Sequence, residues 1–160
     1  MQPSVAKVSP TFPWTNLTIF SNNQNGSRNN FHNSLKHDLH QHHIAFLQET
    51  HIQHQLHLES LQVIASAYNH SKLHHSPLPN IPTRQRGGVA TLISPTLPNA
   101  ESFIPQVQHN QVHHYLLLCG TIGDQVIYLH NIYAPVHSAT ASDPNKFSTQ
   151  LVSACSGLDP

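Results

Sequence analysis

The apolar residues of this chain come in short runs. Residues 17–21 (LTIFS), 44–47 (IAFL), 62–68 (QVIASAY), 89–94 (VATLIS), 115–122 (YLLLCGTI) and 125–133 (QVIYLHNIY) are each bounded by polar or turn-forming residues. Runs of this length, rich in β-branched and aromatic residues, make half-buried or fully buried strands. None approaches the roughly 18 apolar residues of a membrane span. A fold built on sheets follows. The chain of 160 residues, 38% of them hydrophobic, can fill one core. Only 9% are charged, against about 25% in typical domains, and His, Asn, Gln, Ser and Pro take the place of charge. Seven basic and seven acidic residues cancel, so no basic field attracts nucleic acid over long range and any such contact must be local. The 16 His make solubility depend on pH, because imidazoles become cationic under mild acidification.

Residues 1–15 form a Pro-containing leader, expected to be disordered, without the continuous apolar core of a signal peptide. Two cysteines cannot build a disulfide framework, and Cys119 sits in an apolar run where a small buried thiol is expected. A soluble intracellular protein, nuclear or cytoplasmic, is predicted, and the sequons at Asn16, Asn25 and Asn69 go unused.

The first strand, 17–21, ends at the Asn25-Gly26 turn. Phe31, Leu35 and Leu39 then recur every four positions, predicting an amphipathic helix to about residue 42. The strand at 44–47 completes a β-α-β unit. Residues 51–61 suggest a short helix, 62–68 a strand, and the Pro- and His-rich segment 69–86 an exposed loop. A strand at 89–94 and a hairpin turning at Gly123-Asp124 follow. Residues 135–145 are a predicted loop, and 146–154 begin a helix with Phe147 and Leu151 four apart.

Alternation along the strands gathers polar residues. Leu17, Ile19, Ser21 and Asn23 share one side; so do Ala45, Leu47 and Glu49, and so do Ile127, Leu129, Asn131 and Tyr133. Ligand sites collect at strand ends, so Asn23, Glu49, Asn131 and Tyr133 would converge if these strands are neighbours. A carboxylate among amide oxygens suits a hard cation such as Mg²⁺ that bridges to phosphates. Taken singly, each has a plainer role: Glu49 as a solvated strand end, Asn23 and Asn25 as turn residues, Tyr133 as a half-buried aromatic.

Asn23-Gln24-Asn25-Gly26 after one strand, Gln48-Glu49-Thr50-His51 after a second, Gly87-Gly88-Val89-Ala90 opening a third and Asn131-Ile132-Tyr133-Ala134-Pro135 closing a fourth resemble the endonuclease/exonuclease/phosphatase (DNase I-like) superfamily. The nearest flavour is the apurinic-endonuclease-like domain of non-LTR, LINE-type retrotransposons, over roughly residues 17–151. The resemblance implies an α/β (α+β) fold, part of a four-layer α/β sandwich, with residues 16–160 supplying mainly its first mixed sheet and flanking helices. It implies Glu49 as the Mg²⁺ ligand, Asn23 and Asn25 as phosphate-binding residues, and Tyr133 and Asn131 as catalytic ones. The implied reaction is Mg²⁺-assisted attack of water on a phosphodiester, with DNA as the partner and no membrane.

The family pattern continues with Gly-Asp-x-Asn and then Ser-Asp-His, and neither occurs here. Gly123-Asp124-Gln125 precedes the Asn131 motif, Ser142-Asp143-Pro144 lacks the histidine, and Asp159 is followed only by Pro160. Without the Asp that aligns water and the His that steadies the phosphoryl oxygens, little or no catalysis is expected. The competing class is non-catalytic: a transposon relic, or a His-rich interaction or metal-binding module. Only Lys72, Arg84 and Arg86 stand near the long loop as a remnant basic patch. His37, His40, His42 and His43 crowd one predicted helix, and the every-third spacing of His51, His54 and His57 places neighbours where a transition metal would take them; no Cys pair or finger-like spacing closes such a set.

Overall fold

The computed structural model of the chain describes residues 12–26, 31–33, 35, 41–69, 72–79, 87–106 and 113–133. They form two sheets and one long helix, a mixed α and β architecture. Strands β1 (Ile19–Asn23), β2 (Ile44–Gln48), β3 (Lys72–His75) and β4 (Val89–Ile93) make the first sheet in the order β1-β2-β4-β3. Strands β5 (Ile104–Pro105), β6 (Tyr115–Ile122) and β7 (Gln125–Ile132) make the second, in chain order.

The β-α-β order follows the periodicity, but residues 42 and 43, where the helix was expected to end, are not helical. β1 and β2 are parallel, Ile19 opposite Ile44, and residues 31–33 and 35 between them are helical. Phe31 and Leu35 are buried against Ala45, Leu47 and Leu92, which share one face of the first sheet. The same face takes helix α1 (Gln55–Asn69) through Leu61 and Ala65. Burial of Leu61 alone is worth about 1.5–3 kcal/mol.

α1 corrects two expectations. Residues 62–68 are its second half and not a strand, and the helix starts at Gln55 and not at residue 51. Val63, Ile64 and the alternating His and Leu of 55–58 mimic a pleated pattern, but Leu58, Leu61, Ile64 and Ala65 lie on the helix face that meets the sheet. His51 and His54 therefore precede the helix, and the spacing of His51, His54 and His57 does not place them on one face.

A third correction concerns 69–86. Within it β3 pairs antiparallel with β4, Leu73 opposite Leu92; hydrogen bonding along the exposed edge of β4 outweighs a polar local composition. Smaller shifts follow the ladders. β1 runs to Asn23, two residues past the expected end, and β2 and β4 end at Gln48 and Ile93. β5, two residues long, and the 3-10 turn Ala100–Ser102 before it had no clear sequence signal. The hairpin β6-β7 turns at Gly123-Asp124 as expected, Ile122 opposite Gln125. Leu39, His37, His40, Arg84, Arg86, residues 1–11 and 134–160, including the predicted helix at 146–154, lie outside the described residues.

The sheets stack through the other face of the first. Ile44, Val89 and Ile93 meet Leu116, Leu118 and Ile122, with Phe103 completing the layer. Cys119, expected to be buried, is half-buried, opposite Tyr128; it lies on the side of β6 away from the layer that Leu116 and Leu118 enter, beyond the buried Tyr115 and Leu117. Among the described residues no helix is long and apolar enough to cross a membrane.

Candidate functional site

The turns that leave β1 and β2 and the entry to β4 are tied into one end of the first sheet by backbone hydrogen bonds. Gln24 N–H donates to the Gln48 carbonyl at 2.8 Å and Gly26 N–H to the Glu49 carbonyl at 2.8 Å. Thr50 N–H reaches the Gly88 carbonyl at 3.1 Å and His51 N–H the Gly87 carbonyl at 2.9 Å. Three of the four motifs singled out in the sequence are thereby adjacent. Asn25, Glu49 and His51 adopt left-handed φ values of 43°, 51° and 53°, a conformation that is uncommon outside glycine and gathers at functional turns.

The site residues divide by what holds them. Glu49 is bent out of line by its φ; its carboxylate lies 3.7 Å from His51 Nε2. Asn23 accepts the Asn25 N–H on its Oδ1 at 2.9 Å, an Asx turn that fixes both residues. Ile19, Ser21 and Asn23 do share a side, as counted, but it is the exposed side of an edge strand, while Phe20 enters the core.

Asn131 is buried between the sheets, and its amide is spent on the framework. Its Nδ2 donates to the Ala90 carbonyl at 2.7 Å and, more weakly, toward the Leu47 carbonyl and Thr91 Oγ1 at 3.3 Å each. Its Oδ1 accepts from Gln48 Nε2 at 2.9 Å. Tyr133 packs at the rim of the inter-sheet core; its N–H donates to the His114 carbonyl at 3.0 Å, and its ring centre lies 6.1 Å from that of His114. The structure thus brings Asn131 to Gln48 and Tyr133 to His114. Gln48, adjacent in sequence to Glu49, stands in the 48–51 motif but has no role of its own in the sequence reading; its membership of that motif was the available signal.

Beside Gly87 and Gly88, whose φ values are 136° and 82°, lies a group of imidazoles from both sheets. His75 Nδ1 is 2.6 Å from the Ser76 carbonyl, which only accepts, so Nδ1 carries the proton and Nε2 is bare. Thr50 Oγ1 then donates to that Nε2 at 2.7 Å. His113 Nδ1 likewise donates to the Pro77 carbonyl at 3.0 Å, and Ser76 Oγ donates to the His113 carbonyl at 2.8 Å. Burial, helped by neighbouring His113 and His57 and opposed by the bond to Ser76, pushes His75 down to about 4. Burial and Lys72 do the same to His74, also to about 4, and burial with His113 lowers His114.

A hard cation needs oxygen donors, and here Glu49 is the carboxylate that offers them; Asn131 is committed elsewhere. Among the described residues no three His, Cys, Asp or Glu side chains gather to hold a metal ion. A Mg²⁺ that keeps most of its waters and bridges to a substrate phosphate needs only one or two carboxylates, and Glu49 meets that minimum. No protein-family model matches the chain, and no curated protein matches it.

Proposed function

We propose that this chain forms the front part of a Mg²⁺-dependent, phosphodiester-cleaving endonuclease domain of the retrotransposon type, acting on DNA and of little or no activity by itself. The observation that carries the reading is the meeting of the 23–26, 48–51 and 87–88 segments at one sheet end with Glu49 held in a left-handed turn. A bound Mg²⁺ supplies charge stabilisation at the phosphoryl oxygens. Glu49 would hold the ion, Asn23 and Asn25 present an amide-lined turn to phosphate, and Tyr133 stands at the rim. Asn131 serves this site by fixing Gln48 and the ends of β2 and β4, as a positioning residue.

A non-catalytic interaction module is the second reading, favoured by the commitment of Asn131 to backbone carbonyls. One experiment separates them: binding of a DNA duplex at low salt with and without Mg²⁺, together with nicking of supercoiled plasmid. The endonuclease reading expects Mg²⁺ to strengthen binding, Glu49→Gln to remove that increment, and nicking to stay at the level of the Glu49→Gln variant. Binding indifferent to both Mg²⁺ and Glu49→Gln overturns it.

A further inference from the structure

The imidazoles beside Gly88 present an imbalance of lone pairs. His75 and His113 each commit Nδ1–H to a backbone carbonyl, of Ser76 and Pro77. In the neutral ring each therefore turns its Nε2 lone pair inward. His75 Nε2 takes the Thr50 hydroxyl, but His113 Nε2 is buried with no hydrogen-bond partner, and so is His114 Nδ1. A methyl group on Gly88 would lie 2.5 Å from Thr50 Oγ1, 3.2 Å from His113 Cε1 and 3.3 Å from His75 Nε2. The glycine leaves clear a point lined by Thr50 Oγ1, His75 Nε2 and the Cε1 edge of the His113 ring.

We propose that a zinc ion binds between His75 Nε2 and His113 Nε2, beside Gly88, taking the His75 lone pair from the Thr50 hydroxyl, whose 2.7 Å hydrogen bond to it breaks. An imidazole whose far N–H is anchored on a carbonyl has the tautomer and orientation of a metal ligand, and neutral nitrogen suits Zn²⁺ better than Mg²⁺. With Zn–N near 2.1 Å, two ligating rings have centres about 5 Å apart at a tetrahedral angle and about 6.5 Å apart in line. The His75 and His113 ring centres are 6.5 Å apart, the in-line spacing, so tetrahedral coordination requires the rings to close by more than about 1 Å as the ion binds. Two side chains leave the remaining positions to water. The ligands come from β3 of the first sheet and from the residues just before β6 of the second, so the ion would clasp the two sheets. The ion would use neither Glu49 nor the Asn residues, and the proposal does not rest on the endonuclease reading, although Thr50 and Gly88 belong to the segments that meet there.

The test is histidine-ring ¹⁵N NMR of the whole chain at pH 7.5, before and after one equivalent of ZnCl₂, with calorimetry alongside. Without zinc, His75 and His113 show the Nδ1–H tautomer; with it, both Nε2 signals move to the metal-bound position ahead of the other histidines. His113→Ala weakens the first calorimetric equivalent at least tenfold, whereas His54→Ala, at an exposed position, leaves it unchanged. If His113→Ala does not fold, the spectra of the unsubstituted chain decide. The proposal is overturned if the first equivalent spreads over many histidines, settles on another pair, or leaves the two Nε2 signals where they were.

Discussion

Asn131→Ala tests whether the two sheets are held by a polar clasp as well as by apolar packing. The substitution removes the donor to the Ala90 carbonyl at 2.7 Å and the acceptor for Gln48 Nε2 at 2.9 Å, leaving the first buried and the second half-buried. A buried group left without its partner costs about 1–3 kcal/mol, so two such groups give a loss of up to about 6 kcal/mol. That is a large fraction of the 5–15 kcal/mol total typical of a domain. Asn131→Asp keeps the shape but turns the Nδ2 donor into an acceptor facing the Ala90 and Leu47 carbonyls, and should lose at least as much. Urea unfolding followed by circular dichroism, read from the midpoint at constant slope, gives both values. Pairing Asn131→Ala with Gln48→Ala should show a coupling of about 0.5–3 kcal/mol, as for residues in one network. Losses below about 0.5 kcal/mol in both single variants would refute the clasp and return Asn131 to a role in chemistry.

Two further outcomes follow from the same geometry. His74, pushed down from 6.5 to about 4 in the folded chain, takes up its proton more readily when unfolded. Its contribution is therefore complete above about pH 6.5 and is lost as pH falls toward 4, by up to about 3 kcal/mol; with chelator present, urea midpoints should fall steadily over that window, and His74→Leu should flatten the decline. Gly88→Ala meets Thr50 Oγ1 at 2.5 Å and must hold a φ of 82°, so it should lower stability by about 1–3 kcal/mol or more, read as a drop in thermal midpoint; an unchanged midpoint would show that the turn has room.

The parts of the fold legible in the sequence were those whose signal is local. Ile44 to Gln48, Val89 to Ile93 and the β6-β7 hairpin are marked by apolar runs and a Gly-Asp turn, and each formed within a residue or two of its expected bounds. α1 was obscured because Val63 and Ile64 favour a pleat by themselves, although Leu58, Leu61 and Ala65 carried the helical period. β3 was hidden because what makes it a strand is the edge of β4, not its own Lys, His and Leu. At the site, alternation placed Asn131 on the inward face, but its partners Leu47 and Ala90 are 84 and 41 residues away, and nothing local announces them. The meeting of Thr50, His75 and His113 is of the same kind, three segments joined only by the fold.

The stacking of the sheets also sets an order of events during synthesis. Ile44, Val89 and Ile93 belong to strands complete by residue 93, while the residues that cover them, Leu116, Leu118, Ile122 and Leu129, come later in the chain. Until β6 leaves the ribosome, one apolar face of the first sheet stands open. A nascent chain in that interval offers the kind of surface that chaperones hold and that neighbouring chains stick to. Pairings at such long sequence separation also close slowly, which lengthens the interval in which that face stands open.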